Sequence, residues 1–120
     1  MSTILLVADS DRVIDSVHAA LSHPDTNVID ERDPEVAAEV AYEEGVDAVV
    51  VDIRIGSMGG MALVHAVRNA GTADHRIPVT VLLDREADVF LARRSGAANW
   101  VVKTAASSDL RRTVESGLPA

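Results

Sequence analysis

The sequence predicts an α/β protein in which a parallel β-sheet lies between two layers of helices. Four continuous apolar runs are too short for typical helices and are typical of strands buried on both faces: Ile4 to Val7, Ala48 to Val51, Val79 to Leu83 and Trp100 to Val102. Between these runs, apolar residues recur at helical spacing. Such alternation predicts right-handed crossovers with helices on both faces of the sheet, which is a three-layer sandwich.

Apolar residues three or four positions apart indicate the helices. They are Val13, Ile14, Val17 and Leu21 after the first strand, then Val36, Val40 and Ala41, then Leu63, Val64 and Val67. A further strand, Thr26 to Ile29, is the weakest prediction because it is short and partly polar. Counting it gives five successive strand-helix units.

Several residues mark where the predicted helices begin and end. Asp33-Pro34 supplies an N-cap followed by proline at the first helical position, and Ser107 or Ser108, followed by Asp109, marks another start. Three glycines follow helical stretches, where glycine commonly ends a helix: Gly45, Gly71 and Gly96. The glycines of segment 56–60 (GSMGG) are expected to form a tight turn, because glycine permits positive φ.

Composition limits the class of protein. The 120 residues, 48% hydrophobic and 25% charged, fit one soluble globular domain spanning residues 1–120. A formal charge of −8 and a pI near 4.8 argue against direct nucleic-acid binding, which depends on Lys and Arg displacing counterions. There is no cysteine, no apolar run of membrane-spanning length and no signal peptide, so we expect a cytoplasmic protein without membrane contact.

The residues at the carboxyl ends of the predicted strands carry the chemistry, because ligands of an open parallel sheet bind there. These residues are Asp9, Asp52, Leu83 with Asp84, and Lys103. Two carboxylates, a loop carbonyl and waters would suit Mg²⁺, which typically takes one or two protein carboxylates. An aspartate beside such an ion can accept a phosphoryl group, with charge neutralisation shared between the ion and the Lys103 ammonium.

Four segments, taken in order and spacing, resemble the receiver domains of bacterial two-component response regulators. They are ILLVADSD (4–11), VVVDIRIGSMGG (49–60), IPVTVLL (77–83) and WVVK (100–103). The resemblance covers nearly the whole chain. It implies the flavodoxin-like receiver fold, with a five-stranded parallel sheet in the order 2-1-3-4-5.

The resemblance also implies a role for each strand-end residue. Asp52 matches the phosphoacceptor, and Lys103 matches the lysine that pairs with the phosphoryl oxygen. Asp9 matches an acid that contacts Mg²⁺ directly, with Asp52 as a second ligand and the backbone carbonyl of Arg54 as a third. Leu83 and Trp100 match the two switch positions of the family, whose side chains change conformation when the domain is phosphorylated.

This sequence departs from the family pattern within the site. Ala8 replaces the first acid of the family's acidic pair, so Mg²⁺ binding is expected to be weaker. Leu83 replaces a hydroxyl residue, so the hydrogen bond to the phosphoryl oxygen cannot form, at a cost of about 1.5 to 3 kcal/mol. Asp84 replaces a small residue and adds negative charge at the rim. Asp11 could partly compensate for Ala8, but its position favours capping of the first helix.

The resulting hypothesis is a stand-alone receiver domain without an output domain, phosphorylated on Asp52, with Mg²⁺ as cofactor. It is not expected to be an enzyme beyond self-catalysed phosphoryl transfer. The expected partners are a sensor histidine kinase or phosphotransfer protein, and a downstream protein or a second copy. The resemblance implies a downstream contact through the last two helices and the fifth strand, which carry Phe90, Leu91 and Trp100 together with Arg93, Arg94, Arg111 and Arg112. A solvated basic face is an equally open interpretation of these arginines.

Two alternatives stay open. Ala8 and Leu83 favour a pseudo-receiver, a module with the same fold that binds partners without phosphorylation. A flavodoxin-like flavin carrier or small α/β enzyme is disfavoured, because the first strand is followed by ADSD rather than a Ser/Thr-rich phosphate loop. The chain also has only three aromatic residues to enclose a flavin ring.

Overall fold

The computed structural model describes residues 2–56, 59–72 and 74–118. Five strands alternate with five helices in the order β1 (Ser2–Val7), α1 (Asp11–Leu21), β2 (Thr26–Glu31), α2 (Pro34–Glu44), β3 (Ala48–Asp52), α3 (Gly60–Ala70), β4 (Val79–Leu83), α4 (Val89–Ser95), β5 (Asn99–Val102) and α5 (Ser107–Ser116). A single 3₁₀ turn, Glu86–Asp88, precedes α4. All paired strands are parallel, in the order β2-β1-β3-β4-β5, which confirms the predicted fold class.

Alternating side chains of the strands divide the core into two layers. One layer packs against α2, α3 and α4 and includes Leu5, Val49 and Val81. The other packs against α1 and α5 and includes Leu6 and Val50. The three central strands are buried on both faces, which explains their continuous apolar runs.

The edge strands differ most from the prediction. β2 continues two residues beyond Ile29, because Asp30 and Glu31 pair in register with Leu6 and Val7 of β1. An edge strand is covered on fewer sides, so alternate polar residues stay in contact with solvent. The weak apolar signal of Thr26 to Ile29 therefore reflects its edge position.

The helix boundaries largely follow the predicted signals. The Asp33 side chain accepts a hydrogen bond from Glu35 N (2.9 Å), and Pro34 is the first residue of α2. Gly45 and Gly96 adopt the left-handed conformation after α2 and α4, whereas Gly71 ends α3 with extended backbone. Helix α5 begins at Ser107, but its N-cap is Ala106, which provides no side-chain cap.

Within the described residues, no helix combines the length and the apolar character needed to span a bilayer.

Candidate phosphorylation site

The strand order places a switch point between β1 and β3, because the chain leaves β1 toward β2 and then returns to the other side. Ligands of open α/β sheets bind at such a point, beyond the carboxyl ends of the strands. Asp9 follows β1, and Asp52 is the last residue of β3. The two carboxylates expected to bind a ligand therefore flank the switch point.

Asp52 is a buried carboxylate with two described contacts, both made to Oδ1. The backbone N–H of Arg54 donates to Oδ1 (2.9 Å), and the Nζ of Lys103 forms an ion pair with it (2.5 Å). The Asp52 side chain is only 3% exposed. A charge held this far from water needs a close counter-charge, which Lys103 supplies.

Pairing of β4 with β5 fixes the position of Lys103. Its backbone N–H donates to the carbonyl oxygen of Leu83 (2.8 Å), which continues the strand register by one residue. Lys103 lies directly after β5 and extends its side chain across the end of β4 toward Asp52. The predicted convergence of Asp52 and Lys103 is present in the structure.

A second carboxylate, that of Asp84, shares the same lysine. Lys103 Nζ donates to Asp84 Oδ1 (2.8 Å), while the Arg54 side chain donates to Asp84 Oδ2. The hydrogen bond from Lys103 is the largest of the effects that lower the pKa of Asp84; burial opposes it, and Arg54 adds to it. The same pairing with Asp84 raises the pKa of Arg54. Asp84 is therefore more than the rim charge that the sequence suggests, because it contacts both cations of the site.

Asp9 is exposed and is held from two sides. Its Oδ2 accepts a hydrogen bond from the backbone N–H of Gly56 (3.1 Å), and its carbonyl oxygen accepts one from Arg32 (3.1 Å). Gly56 has a φ of +41°, in the left-handed region that favours glycine. Gly59 also has positive φ, as expected for the tight turn, while Ser57 and Met58 lie outside the described residues. Asp9 is thus tied to the loop that follows Asp52.

The prediction that Asp11 caps the first helix is wrong. The N-cap of α1 is Ser10, and Asp11 is the first helical residue. Its carboxylate pairs with Arg32, the same side chain that binds the carbonyl oxygen of Asp9. The structure gives Asp11 no contact with Asp52.

The donor set suits a lightly held Mg²⁺. Asp52 ends β3, Asp9 follows the neighbouring strand β1, and Arg54 lies two residues after Asp52 in the β3–α3 loop. Two carboxylates and one backbone carbonyl are the kind of donors that Mg²⁺ takes from a protein. In the described part of the chain, no three His, Cys, Asp or Glu side chains come together as a metal-binding group. An ion held there would keep several waters.

The remaining predicted positions are placed as follows. Ala8 and Leu83 are fully buried, Ala8 on the α1/α5 side of the sheet and Leu83 on the other. Trp100 is half-buried on β5, and the Arg93 guanidinium lies 5.7 Å from its ring centroid. Neither Ala8 nor Leu83 offers a side-chain oxygen to the site.

The model of the response regulator receiver domain matches residues 4–115. The chain belongs to this family. Receiver domains are generally non-enzymatic modules of two-component signalling that interact with histidine kinases or phosphotransfer proteins and with downstream effectors. They generally bind Mg²⁺ at the phosphorylation site.

Solved structures agree with the family. The receiver domain of Klebsiella pneumoniae RstA in a BeF₃-activated form is 26% identical, with 99% of this chain and 100% of that one covered and a TM-score of 0.84. A receiver domain from Bacteroides fragilis is 26% identical, with 100% and 98% covered and a TM-score of 0.83. The fold is also that of Vibrio cholerae CheY4, at 24% identity, 98% and 99% coverage and a TM-score of 0.83. Among curated protein sequences, none matches significantly.

Sequence reasoning missed two contributions to this receiver site. The sequence predicts a role for the backbone carbonyl of Arg54 but not for its side chain, which pairs with Asp84, and it predicts no role for Arg32. Asp84 directly after a buried strand was a visible signal for the first. Arg32 carried no signal, because only the packing of β2 beside β1 brings it to Asp9.

Proposed function

We propose that this receiver domain accepts a phosphoryl group on Asp52 and transmits the signal through protein contacts. The ion pair of 2.5 Å between Asp52 Oδ1 and Lys103 Nζ, at the carboxyl edge of the sheet, is the observation that carries the proposal. It gives a buried nucleophile and a cation for the transferred group at one point.

The reaction requires little covalent chemistry from the protein. A carboxylate oxygen of Asp52 forms a bond to phosphorus while the bond between phosphorus and the donor breaks. The donor is a phosphohistidine of a histidine kinase or phosphotransfer protein. Lys103 would neutralise charge on the transferred group, and Asp9, Asp52 and the Arg54 carbonyl would hold Mg²⁺, which supplies further neutralisation when bound.

Intact-mass spectrometry tests the proposal. The purified protein is incubated with acetyl phosphate and Mg²⁺, and we expect a species heavier by about 80 Da, the mass of one phosphoryl group. Asp52→Asn removes the acceptor and is expected to abolish that species. Asp109→Asn, at a surface acid of α5, is the matched control and is expected to keep it. Absence of the species from the unmodified protein would refute phosphorylation on Asp52.

A second candidate function is favoured by a specific contact. Lys103 already donates a hydrogen bond to Asp84, and Ala8 removes one carboxylate from the metal side of the site. Both features suit a pseudo-receiver that binds partners without phosphorylation. A pseudo-receiver predicts no change in Trp100 fluorescence when Mg²⁺ is added to millimolar concentration. A phosphoacceptor predicts a fluorescence change that saturates as Mg²⁺ binds.

The proposed partner surface is the face formed by α4, β5 and α5. Phe90 is 60% exposed and Leu91 is 46% exposed, and Arg94 lies 5.3 Å from the Phe90 ring centroid. Exposed apolar side chains beside arginines suit a partner that presents apolar and acidic groups together. Arg111 is not part of this surface, because its guanidinium binds the carbonyl oxygens of Ala20 and Ser22.

A second copy of the chain is the alternative partner for this face. Sedimentation of the protein and of Phe90→Ser separates the two possibilities, since a second copy on this face would give a dimer that the substitution dissociates. We expect a monomer in both cases, because the chain carries a net charge of −8.

A further inference from the structure

The Asp84 carboxylate contacts both cationic side chains of the described site, Lys103 and Arg54. Lys103 donates to Asp84 Oδ1 at 2.8 Å, and Arg54 donates to Asp84 Oδ2. The same Lys103 ammonium lies 2.5 Å from Asp52 Oδ1. One cation therefore serves two carboxylates, and a second cation is engaged by Asp84 alone among the described side chains.

Among the described side chains of this cluster, each cation is already paired with a carboxylate. Asp52 and Asp84 are balanced by Lys103 and Arg54. A phosphoryl group on a hydroxyl side chain carries about −1.5 to −2 charge at neutral pH, and a phosphoryl group on Asp52 would likewise bring more negative charge than the single charge of the carboxylate. The Asp84 carboxylate already contacts the Lys103 ammonium at 2.8 Å. The phosphoryl group and Asp84 would then compete for the same ammonium.

Of the two carboxylates, Asp84 is the one that can move away from Lys103. It lies one residue beyond the end of β4, and its side chain is 23% exposed, compared with 3% for Asp52. Its Arg54 partner is 76% exposed, so the Asp84–Arg54 pair can turn toward solvent together. Asp52 belongs to a central strand and has no such freedom.

We propose that Asp84 inhibits the phosphorylation site through its ion pair with Lys103. This pair must break before Lys103 can stabilise a phosphoryl group on Asp52. This inference rests on the proposed function, since it concerns the regulation of the same site. It assigns to Asp84 an inhibitory contact built into the resting domain. The neighbouring Leu83 cannot contribute to this control, because its side chain is apolar and fully buried.

Binding of beryllofluoride, the compound present in the activated Klebsiella relative, provides the test. It is titrated with Mg²⁺ into the full chain and into Asp84→Asn and Asp84→Ala, and Trp100 fluorescence reports binding. We expect the half-saturating concentration to fall at least tenfold in both variants. We expect a larger fall in Asp84→Ala, because an asparagine oxygen can still accept from Lys103. Uptake of phosphoryl groups from acetyl phosphate is expected to accelerate in the same order.

Asp88→Asn is the matched control, because it removes one negative charge nearby from a side chain that pairs with Arg85 rather than Lys103. Equal gains in Asp88→Asn and Asp84→Asn would assign the effect to net charge and overturn the inference. Unchanged or weaker binding in both Asp84 variants would also overturn it, and weaker binding would mean that Asp84 positions Lys103 productively. Urea unfolding of each variant confirms that it is folded.

The outcomes separate this inference from the proposed function. If the unmodified protein and the Asp84 variants are phosphorylated equally on Asp52, the function stands and the inhibitory role of Asp84 fails. If none of them takes up beryllofluoride or a phosphoryl group, both fail.

Discussion

At the scale of single residues, the site is a small network of opposite charges around one lysine. Lys103 contacts Asp52 and Asp84, and Arg54 contacts Asp84 with its side chain and Asp52 with its backbone N–H. The burial of Asp52 makes the network sensitive to the loss of Lys103, because an unpaired charge away from water is costly.

Removal of the Lys103 charge is expected to destabilise the fold. Lys103→Met leaves the Asp52 carboxylate without a cationic partner among the described contacts, and we expect the free energy of unfolding to fall by about 3 kcal/mol. The double variant Lys103→Met/Asp52→Asn also removes the unpaired negative charge of Asp52 and is expected to recover more than half of that loss. Urea denaturation measures both.

Arg112→Met is the control for this substitution. Arg112 pairs with Asp109 at 3.3 Å and both side chains are largely exposed, so the change is expected to stay within about 0.5 kcal/mol. A double variant as unstable as Lys103→Met alone would show that the charge of Asp52 is not what Lys103 stabilises.

Restoring a carboxylate at position 8 is expected to couple stability to Mg²⁺. Ala8 is fully buried, so in Ala8→Asp without metal the new charge lacks compensation, and the free energy of unfolding is expected to fall by about 1 to 3 kcal/mol. The new carboxylate is expected to contact the ion, so Mg²⁺ at about 10 mM should stabilise the variant more than the parent protein.

Thermal unfolding with EDTA and with Mg²⁺ measures this coupling in both proteins. Equal gains from Mg²⁺ in the parent and in Ala8→Asp would contradict a metal-side role for position 8. A larger gain in the variant would identify Ala8 as one reason for weak metal binding.

At the scale of elements, the loop between β3 and α3 depends on a close approach of backbone segments. The N–H of Gly60, the first residue of α3, donates to the carbonyl oxygen of Ile53 (3.1 Å). A Cβ on Gly60 would lie 2.7 Å from Ile53 Cα and 3.0 Å from the carbonyl oxygen of Asp52. A side chain there would push α3 away from the residues that carry the site.

Gly60→Ala is therefore expected to lower the free energy of unfolding by about 1 to 3 kcal/mol through overpacking against backbone. We also expect it to slow phosphoryl uptake, because the added Cβ presses on the backbone of Asp52 and Ile53. Gly45→Ala is the matched control: its φ of +63° costs about 1 kcal/mol, but a Cβ there has no atom within 4 Å.

The two glycine variants are compared by urea denaturation and by the rate of acetyl phosphate labelling. A normal labelling rate in a destabilised Gly60→Ala would show that α3 can shift without moving Asp52. Gly45→Ala, which ends α2 away from the site, is expected to label normally.

At the scale of the whole molecule, two layers of helices hold opposite faces of one sheet, and long-range contacts join distant parts of the chain. Arg111 on α5 donates to the carbonyl oxygens of Ala20 and Ser22 at the end of α1, both at 3.0 Å. These contacts span about ninety positions in the sequence and satisfy carbonyls that α1 leaves unpaired.

Arg111→Ala is expected to cost about 1 to 3 kcal/mol of unfolding free energy, because charged donors to two carbonyls are lost. The neighbouring Arg112→Ala is the control. Arg112 is largely exposed and pairs with the exposed Asp109, one turn earlier, so a change within about 0.5 kcal/mol is expected. Equal effects of the two substitutions on the urea midpoint would show that the α1–α5 contact does not stabilise the molecule.

The sequence by itself determined the fold class, the strand order through the family resemblance, and the positions of Asp9, Asp52 and Lys103 at the sheet edge. It could do so because strand burial leaves an apolar run and because parallel strands end at a common edge. Only the tertiary structure decided which side chains pair. Asp84 meets Arg54 and Lys103 from 30 and 19 positions away, and Arg32 meets Asp9 through strand pairing. Such pairings depend on side-chain direction and distance in space, which no local sequence pattern encodes.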